Sequence, residues 1–305
     1  MPEFKGGYSP GIGTPFTADD ELDVKNLKAI VQYMIDAGVD GLFTIGSAGQ
    51  GPHMSLDERK IAAEAIMEQN NNRVAVILQI GTADTKSTIE LAKHAEKLKP
   101  AALAVLPLYY GKHSDDAVIN HYKMVSAAVP NMPLVMYDNF GTTQFKTTPK
   151  FLERMFKELP MFKGCKMSST DSQDKFMWLK LMPKEFVYLG GYAEFLPIEV
   201  PLGAKGTMFP AATMAPEKFR DVWKAFERRD WNAAIPKLTE FILFRQGATD
   251  IAKGDVTREI YRLRGIPVHK LTRASTGGDA SPEVVQKLAK YLVDNGVPIK
   301  QPVTA

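Results

Sequence analysis

A lysine in a short apolar stretch is the residue of this chain best suited to covalent chemistry. Lys166 lies in the run 162–169 (FKGCKMSS), which has the pattern of a short buried strand. Burial disfavours a charged ammonium, lowers its pKa and releases a neutral amine, which can form a Schiff base with a carbonyl substrate. The segment alone fits a surface lysine just past a strand end as well, so the rest of the chain has to decide.

Two further polar sequences follow apolar runs in the same way. The glycine-rich loop 46–51 (GSAGQG) lets backbone N–H groups turn inward around an anion, and it lacks the Gly-Lys-Ser/Thr of a nucleotide-binding loop. It therefore favours a carboxylate, although an ordinary turn before a helix fits the same residues. Tyr137 ends an apolar run and could transfer protons once neighbours polarise its hydroxyl. The alternative is a half-buried tyrosine that closes a strand.

Strand patterns and helix patterns alternate along the first two thirds of the chain. The helix signals include an apolar face over 27–34 and a capping box formed by Ser55 and Glu58. About eight strand–helix units predict an α/β fold, a (β/α)8 barrel with its active site at the carboxyl ends of the strands. The predicted strands cover 9–16, 39–45, 74–80, 103–106, 133–137, 162–169, 186–189 and 203–209.

This register places the polar sequences together. Loop 46–49, Tyr137 with the two residues after it, and Lys166 all follow strands at one rim of the barrel, which predicts a site there. Residues 1–215 form the predicted barrel core. From residue 216 the pattern is all-helical, so 216–305 is predicted as a C-terminal helical region packed on the barrel or building an oligomer interface.

Composition excludes several classes of function. The chain has 305 residues, 45% of them hydrophobic, and its 38 basic and 35 acidic residues are interspersed with a net charge of +3. This distribution gives no nucleic-acid footprint and no polybasic membrane patch. Cys165 is the only cysteine, so neither an intrachain disulfide nor a cysteine-based zinc cluster is expected. Without a signal-peptide core near Met1 or a run long enough to span a bilayer, we expect a cytoplasmic protein.

The chain resembles the dihydrodipicolinate synthase / N-acetylneuraminate lyase superfamily of pyruvate-dependent class I aldolases. The resemblance runs from about Gly11 to Gly296 and depends on several motifs in the right order. These motifs are Gly13-Thr14-Pro15-Phe16, Gly46-Ser47-Ala48-Gly49-Gln50, Leu56-Asp57-Glu58-Arg59, Pro107-Leu108-Tyr109-Tyr110, Leu134-Val135-Met136-Tyr137-Asp138, Gly164-Cys165-Lys166 and Gly203-Ala204-Lys205-Gly206.

The resemblance implies a role for each residue of the site. Lys166 would form the Schiff base with pyruvate or another 2-keto acid, and Tyr137 would carry protons. Ser47 would bridge that tyrosine to Tyr110, which in many relatives reaches in from a neighbouring subunit. This implies a homo-oligomer, either a dimer or a homotetramer. The amides of Ser47 and Ala48 would hold the substrate carboxylate, and the Met208 carbonyl would face the lysine. No metal and no organic cofactor is then required.

Departures from the family pattern bear on the substrate. Ala48 replaces a hydroxyl residue, Gln50 a glutamate and Asp138 an asparagine, while Thr142 stands where dihydrodipicolinate synthases place an arginine. Losing that bidentate donor weakens recognition of a second carboxylate and counts against lysine biosynthesis. The hydroxyl-rich rim includes Thr142, Thr143 and Ser168.

That rim suits the polyol tail of a 2-keto-3-deoxy sugar acid. Glu194 lies near the position at which sialic-acid lyases bind sugar hydroxyls, although a solvated loop glutamate is the alternative. Reversible aldol cleavage of a 2-keto-3-deoxy sugar acid is therefore the leading hypothesis. Dihydrodipicolinate synthase and N-acetylneuraminate lyase remain alternatives with the same chemistry. A barrel that binds a small molecule without catalysis remains an alternative from another class.

Overall fold

Parallel strands form the centre of the molecule, as the alternating sequence predicts. The computed structural model describes residues 2–252, 256–269, 272–273 and 280–300. Its strands pair in the order β1-β8-β7-β6-β5-β4-β3-β2, and each pair is parallel. The strands are β1 Gly7–Tyr8, β2 Gly41–Thr44, β3 Ala75–Gln79, β4 Ala102–Val105, β5 Leu134–Asp138, β6 Phe162–Met167, β7 Val187–Gly190 and β8 Gly206–Thr207.

Helices connect the strands and follow the last of them. Ser55 and Glu58 form the predicted capping box, and Thr148 caps a helix that begins with a proline. Within the described ranges the helices are α1 Val24–Asp36, α2 Leu56–Asn70, α3 Thr85–Leu98, α4 Asp115–Ala128, α5 Phe140–Thr143, α6 Pro149–Glu158, α7 Ser172–Leu181, α8 Leu196–Leu202, α9 Pro216–Glu227, α10 Trp231–Ala252, α11 Val256–Leu263 and α12 Pro282–Asp294.

The first strand lies earlier than the sequence pattern predicts. The prediction covers 9–16, whereas β1 is Gly7–Tyr8. After β1 the Ser9 N–H donates once more to Thr207 O at 3.0 Å, and Thr207 is the last residue of β8. The chain then turns to β2, where Phe43 N donates to Pro10 O at 3.0 Å and Ile12 N donates to Phe43 O at 3.0 Å. These bonds close the (β/α)8 barrel.

Two hydrophobic clusters lie on opposite faces of the barrel sheet. One fills the barrel interior and includes Tyr137 and Leu189, while the other lies between the barrel and its helices and includes Cys165. Lys166 is in register with both Tyr137 and Leu189, so its side chain shares the interior face with theirs. The cysteine before it packs against the helix layer, as expected from the alternation.

The helices after β8 pack on the barrel and on each other. The Phe219 ring of α9 lies 5.0 Å from the ring of Tyr8 in β1 and 4.9 Å from Phe241 in α10. A boundary between residues 215 and 216 stays a prediction. Among the described residues, no helix combines the length and the apolar character that crossing a membrane would need.

Candidate active site

Lys166 lies inside the barrel near the carboxyl end of β6. The residue is 4% exposed, and its Nζ is 4.4 Å from the centroid of the Tyr137 ring on the neighbouring strand. Nζ also contacts the hydroxyl of Ser168. Gly191 makes room for the lysine, because a Cβ there would lie 3.2 Å from Nζ. The geometry therefore puts an enclosed amine beside a phenol.

Enclosure changes the charge state of this amine. Burial lowers the pKa of Lys166 to about 7, while the nearby carboxylate of Asp138 raises it and the positive charge of Lys175 lowers it. A substantial fraction of the amine is therefore neutral and nucleophilic at neutral pH.

The Tyr137 hydroxyl belongs to a small polar cluster at the barrel mouth. It donates to Ser47 Oγ at 3.2 Å, and Asn139 Nδ2 donates to the phenol oxygen at 3.3 Å and to Ser47 Oγ at 3.5 Å. Burial raises the pKa of Tyr137, and the hydrogen bonds to Ser47 and Asn139 oppose that shift. The phenol thus keeps its proton at neutral pH and can pass it along the cluster.

The glycine-rich loop places backbone donors beside this cluster. Its turn is closed by hydrogen bonds from Gln50 N to Ser47 O at 3.0 Å and from Gly51 N to Gly46 O at 3.0 Å. Over the residues that the structure describes, the N–H groups of Ser47 and Ala48 donate to no backbone carbonyl, and both residues are exposed. This arrangement suits the predicted carboxylate-binding role.

Gln50 anchors the loop. Its backbone has a φ of 56°, in the left-handed region, and its Nε2 donates to Thr14 O at 3.2 Å. Its Oε1 accepts from Thr272 Oγ1 and Arg273 N, each at 2.8 Å. An amide can donate and accept in this buried position, whereas the glutamate expected from the family pattern cannot donate to the Thr14 carbonyl. The departure at residue 50 therefore has a structural reason.

We predict that Gln50→Glu lowers the free energy of unfolding by about 1–3 kcal/mol, because it leaves the buried Thr14 carbonyl without its donor. The measurement is urea unfolding followed by circular dichroism. Gln69→Glu is a matched control, since Gln69 Nε2 donates to the Gln32 side chain in a less buried place. Equal stability of the Gln50→Glu variant and the unmodified protein would contradict the anchoring role.

The remaining predicted site residues differ in their surroundings. Met208 is 2% exposed, and its N–H donates to Gly190 O at 2.7 Å. Thr142 lies exposed in the short helix α5. Tyr110 is 86% exposed. Glu194 forms an ion pair with Arg245 of α10, with Oε1 and Nη2 2.9 Å apart.

One member of the predicted hydroxyl-rich rim lies below the surface. Thr143 is 2% exposed, and its hydroxyl donates to Asn139 O at 3.1 Å. A residue in the last turn of α5 faces inward and hydrogen bonds to the preceding turn, so Thr143 does not contribute to a rim.

Sequence reasoning placed Asn139 at the rim with Tyr137 but gave its side chain no chemical role. Its signal is its spacing, because side chains two residues apart on a strand share a face and Tyr137 is two residues earlier. Sequence reasoning also gave no account of a buried ion pair behind β7, in which Lys175 Nζ and Glu199 Oε1 are 2.5 Å apart. That pair joins two helices and has no local sequence signal.

Comparisons with known proteins identify relatives of this chain. The model of the dihydrodipicolinate synthetase family matches residues 5–243. A 4-hydroxy-tetrahydrodipicolinate synthase of Moorella thermoacetica is 29% identical over 287 residues, which are 93% of this chain and 96% of the relative. YagE of Escherichia coli, provisionally named 2-dehydro-3-deoxy-D-gluconate aldolase, is 29% identical over 231 residues, 73% of this chain and 75% of the relative. The structure of YagE in complex with pyruvate superposes with a TM-score of 0.85 at 25% identity, covering 96% of this chain and 99% of that one.

Proposed function

We propose a substrate class for this chain, which belongs to the dihydrodipicolinate synthetase family and is a carbon–carbon lyase among the class I pyruvate aldolases. We infer that it cleaves and forms 2-keto-3-deoxy sugar acids reversibly, with pyruvate and an aldehyde as products. The observation that carries this proposal is the enclosed Lys166 amine, whose Nζ lies 4.4 Å from the Tyr137 ring centroid.

The chemistry begins at the amine. The neutral Nζ of Lys166 adds to the C2 carbonyl of a 2-keto acid, and a proton passes from the nitrogen to the carbonyl oxygen to give a carbinolamine. Loss of that hydroxyl as water, with one further proton, leaves an iminium on Nζ. The Tyr137 hydroxyl, held by Ser47 and Asn139, lies where it can exchange these protons.

The iminium then withdraws electrons from the substrate. The C3–C4 bond breaks as the C4 hydroxyl loses its proton, so that C4 leaves as an aldehyde and the bonding electrons form an enamine at C3. Protonation of C3 restores the iminium, and water releases pyruvate and the free amine. The substrate carboxylate binds the N–H groups of Ser47 and Ala48 in this scheme.

Local chemistry supports a polyol tail over a second carboxylate. Thr142 replaces the arginine expected of a dihydrodipicolinate synthase and is exposed in α5, and Ser168 adds a hydroxyl beside Lys166. The Glu194 carboxylate forms an ion pair with Arg245. In this proposal it would bind sugar hydroxyls while it keeps that ion pair. The likeness to YagE favours the same substrate class.

We also propose that the protein assembles as a homo-oligomer in the cytoplasm. The Tyr110 ring is 86% exposed in the single chain, as expected of a side chain that completes the site of a neighbouring copy. Met208, the residue after β8, would act through its backbone carbonyl, which would face the amine.

A substrate panel tests the proposed function. We expect pyruvate release from one or more 2-keto-3-deoxy sugar acids, with at least tenfold lower kcat/KM for N-acetylneuraminate and no condensation of pyruvate with aspartate semialdehyde. Preferred turnover of either competing substrate would replace the proposed substrate class. Trapping of pyruvate on Lys166 by borohydride, without turnover of any member, would favour a barrel that binds a small molecule without catalysis.

A further inference from the structure

A buried carboxylate lies directly beneath the loop that follows Lys166. Asp138 is 2% exposed, and it follows Tyr137 on β5, so its side chain leaves the opposite face of the strand. Its Oδ1 accepts from the Thr147 hydroxyl at 2.8 Å, and its Oδ2 accepts from Ser168 N at 3.2 Å. Both oxygens are therefore fixed by neutral donors.

These contacts connect Asp138 to the amine. Ser168 donates its N–H to the Asp138 carboxylate, and its hydroxyl oxygen accepts from Lys166 Nζ. The strand register pairs Asp138 with Met167, the residue after Lys166. The Asp138 carboxylate therefore fixes Ser168, whose hydroxyl contacts Lys166 Nζ, while the carboxylate itself lies outside the barrel interior.

Among the described residues whose charges act on Asp138, Lys166 is the cation without another carboxylate partner. The titratable groups whose charges act on it or respond to it are Tyr137 on its own strand, Tyr122 of α4, Cys165 and Lys166 of β6, Lys175 of α7 and Tyr188 of β7. Two of these are cationic, and Lys175 already has Glu199 at 2.5 Å. For Lys166, no carboxylate within the described ranges is in direct contact, and Asp138 is the one whose charge acts on it.

A buried positive charge without a counter-charge is costly, and formation of the iminium creates one. The neutral amine, the keto acid and one proton become an iminium and water, so the charge of the enclosed site rises by one unit. We propose that Asp138 is a positioning residue that provides the counter-anion of the iminium at Lys166 and orients Ser168 beside it. This inference rests on the proposed Schiff-base function.

The test is Asp138→Asn, which keeps the shape of the side chain and introduces the residue common in the family. Adducts are formed with pyruvate, trapped with borohydride and quantified by mass spectrometry over a range of pyruvate concentrations and pH values. In the pH range where the free amine is neutral, we expect the half-saturating pyruvate concentration to rise about tenfold, as the loss of one nearby charge predicts. Because the charge of Asp138 raises the pKa of Lys166, its removal should also move the acid limb of the trapping rate to lower pH.

Thr147→Val is the matched variant, because it removes a hydrogen bond from Asp138 and keeps the carboxylate. That hydrogen bond lowers the pKa of Asp138, so its loss should let the carboxylate protonate at higher pH. We expect pyruvate binding within about twofold of the unmodified protein while the carboxylate is ionised, and progressively weaker binding as the carboxylate becomes protonated at lower pH. This pattern tests the counter-anion even where Asp138→Asn fails to fold, because lost packing alone would weaken binding equally at all pH values.

The outcomes separate the inference from the function on which it rests. If the unmodified protein traps no pyruvate, the proposed function itself is wrong. If it does trap pyruvate, and Asp138→Asn matches it in both half-saturation and acid limb, only the counter-anion role is overturned. A loss of affinity in Asp138→Asn with no shift of the limb would also overturn it, since that result indicates a merely structural residue.

Discussion

Replacing Lys166 with methionine is expected to abolish borohydride trapping of pyruvate and to lower kcat for aldol cleavage by on the order of 10⁴-fold or more, as losses of covalent nucleophiles do. Methionine fills a similar volume and is suited to the enclosed position, which is 4% exposed. The fold should therefore survive while the reaction loses its electron sink. Mass spectrometry of the trapped protein and pyruvate release by the same preparation measure the two effects.

The same strand provides the control. Lys163 is exposed at the opposite end of β6, so Lys163→Met should retain both trapping and turnover. In the unmodified protein the trapping rate should increase as pH rises through about 7, because the amine becomes neutral across the pKa of Lys166. Continued adduct formation in the Lys166→Met variant would assign the Schiff base to another lysine and end the proposed mechanism.

The position of this lysine is the part of the site that sequence alone predicts best. Parallel strands covered on both faces have unbroken apolar runs, and their carboxyl ends meet at one rim of a barrel. The local pattern therefore shows which strand carries a given polar residue at its carboxyl end. Lys166, Tyr137 and Ser47 all satisfy that condition. In the structure the Tyr137 ring centroid lies 4.4 Å from Lys166 Nζ, and the Tyr137 hydroxyl lies 3.2 Å from Ser47 Oγ.

Features that depend on distant partners could not be predicted in this way. Gln50 is bound by residues 272 and 273, and Glu194 is paired with Arg245, a residue 51 positions away. Neither contact leaves a periodic signal in the sequence. The first strand shows a related failure. Its ladder to β8 ends at Ser9, whose N–H bonds to the last residue of β8, while the apolar pattern runs on through the segment that turns to β2.

The hydroxyl of Tyr137 is expected to matter for turnover far more than for binding. In Tyr137→Phe we predict a loss of about 10²–10⁴ in kcat, the usual contribution of a positioned acid or base, with borohydride trapping of pyruvate retained. The phenyl ring keeps its packing 5.3 Å from the Phe43 centroid and its place beside Lys166, whereas the hydroxyl that donates to Ser47 is lost. Single-turnover measurements of adduct formation and of pyruvate release separate the two steps.

Tyr8→Phe is the control for this prediction. Tyr8 is fully buried, and its hydroxyl donates to Ala212 O at a distance of 3.3 Å. Because this hydroxyl does not contact the Lys166 amine, removing it should cost about 1 kcal/mol of stability and leave kcat within about twofold. Because burial raises the pKa of Tyr137, its hydroxyl stays protonated at neutral pH, and the deficit in Tyr137→Phe should be constant between about pH 6 and 9. Undiminished kcat in Tyr137→Phe would remove the phenol from proton transfer and leave the Ser47 hydroxyl as the group of this cluster that exchanges protons with the substrate.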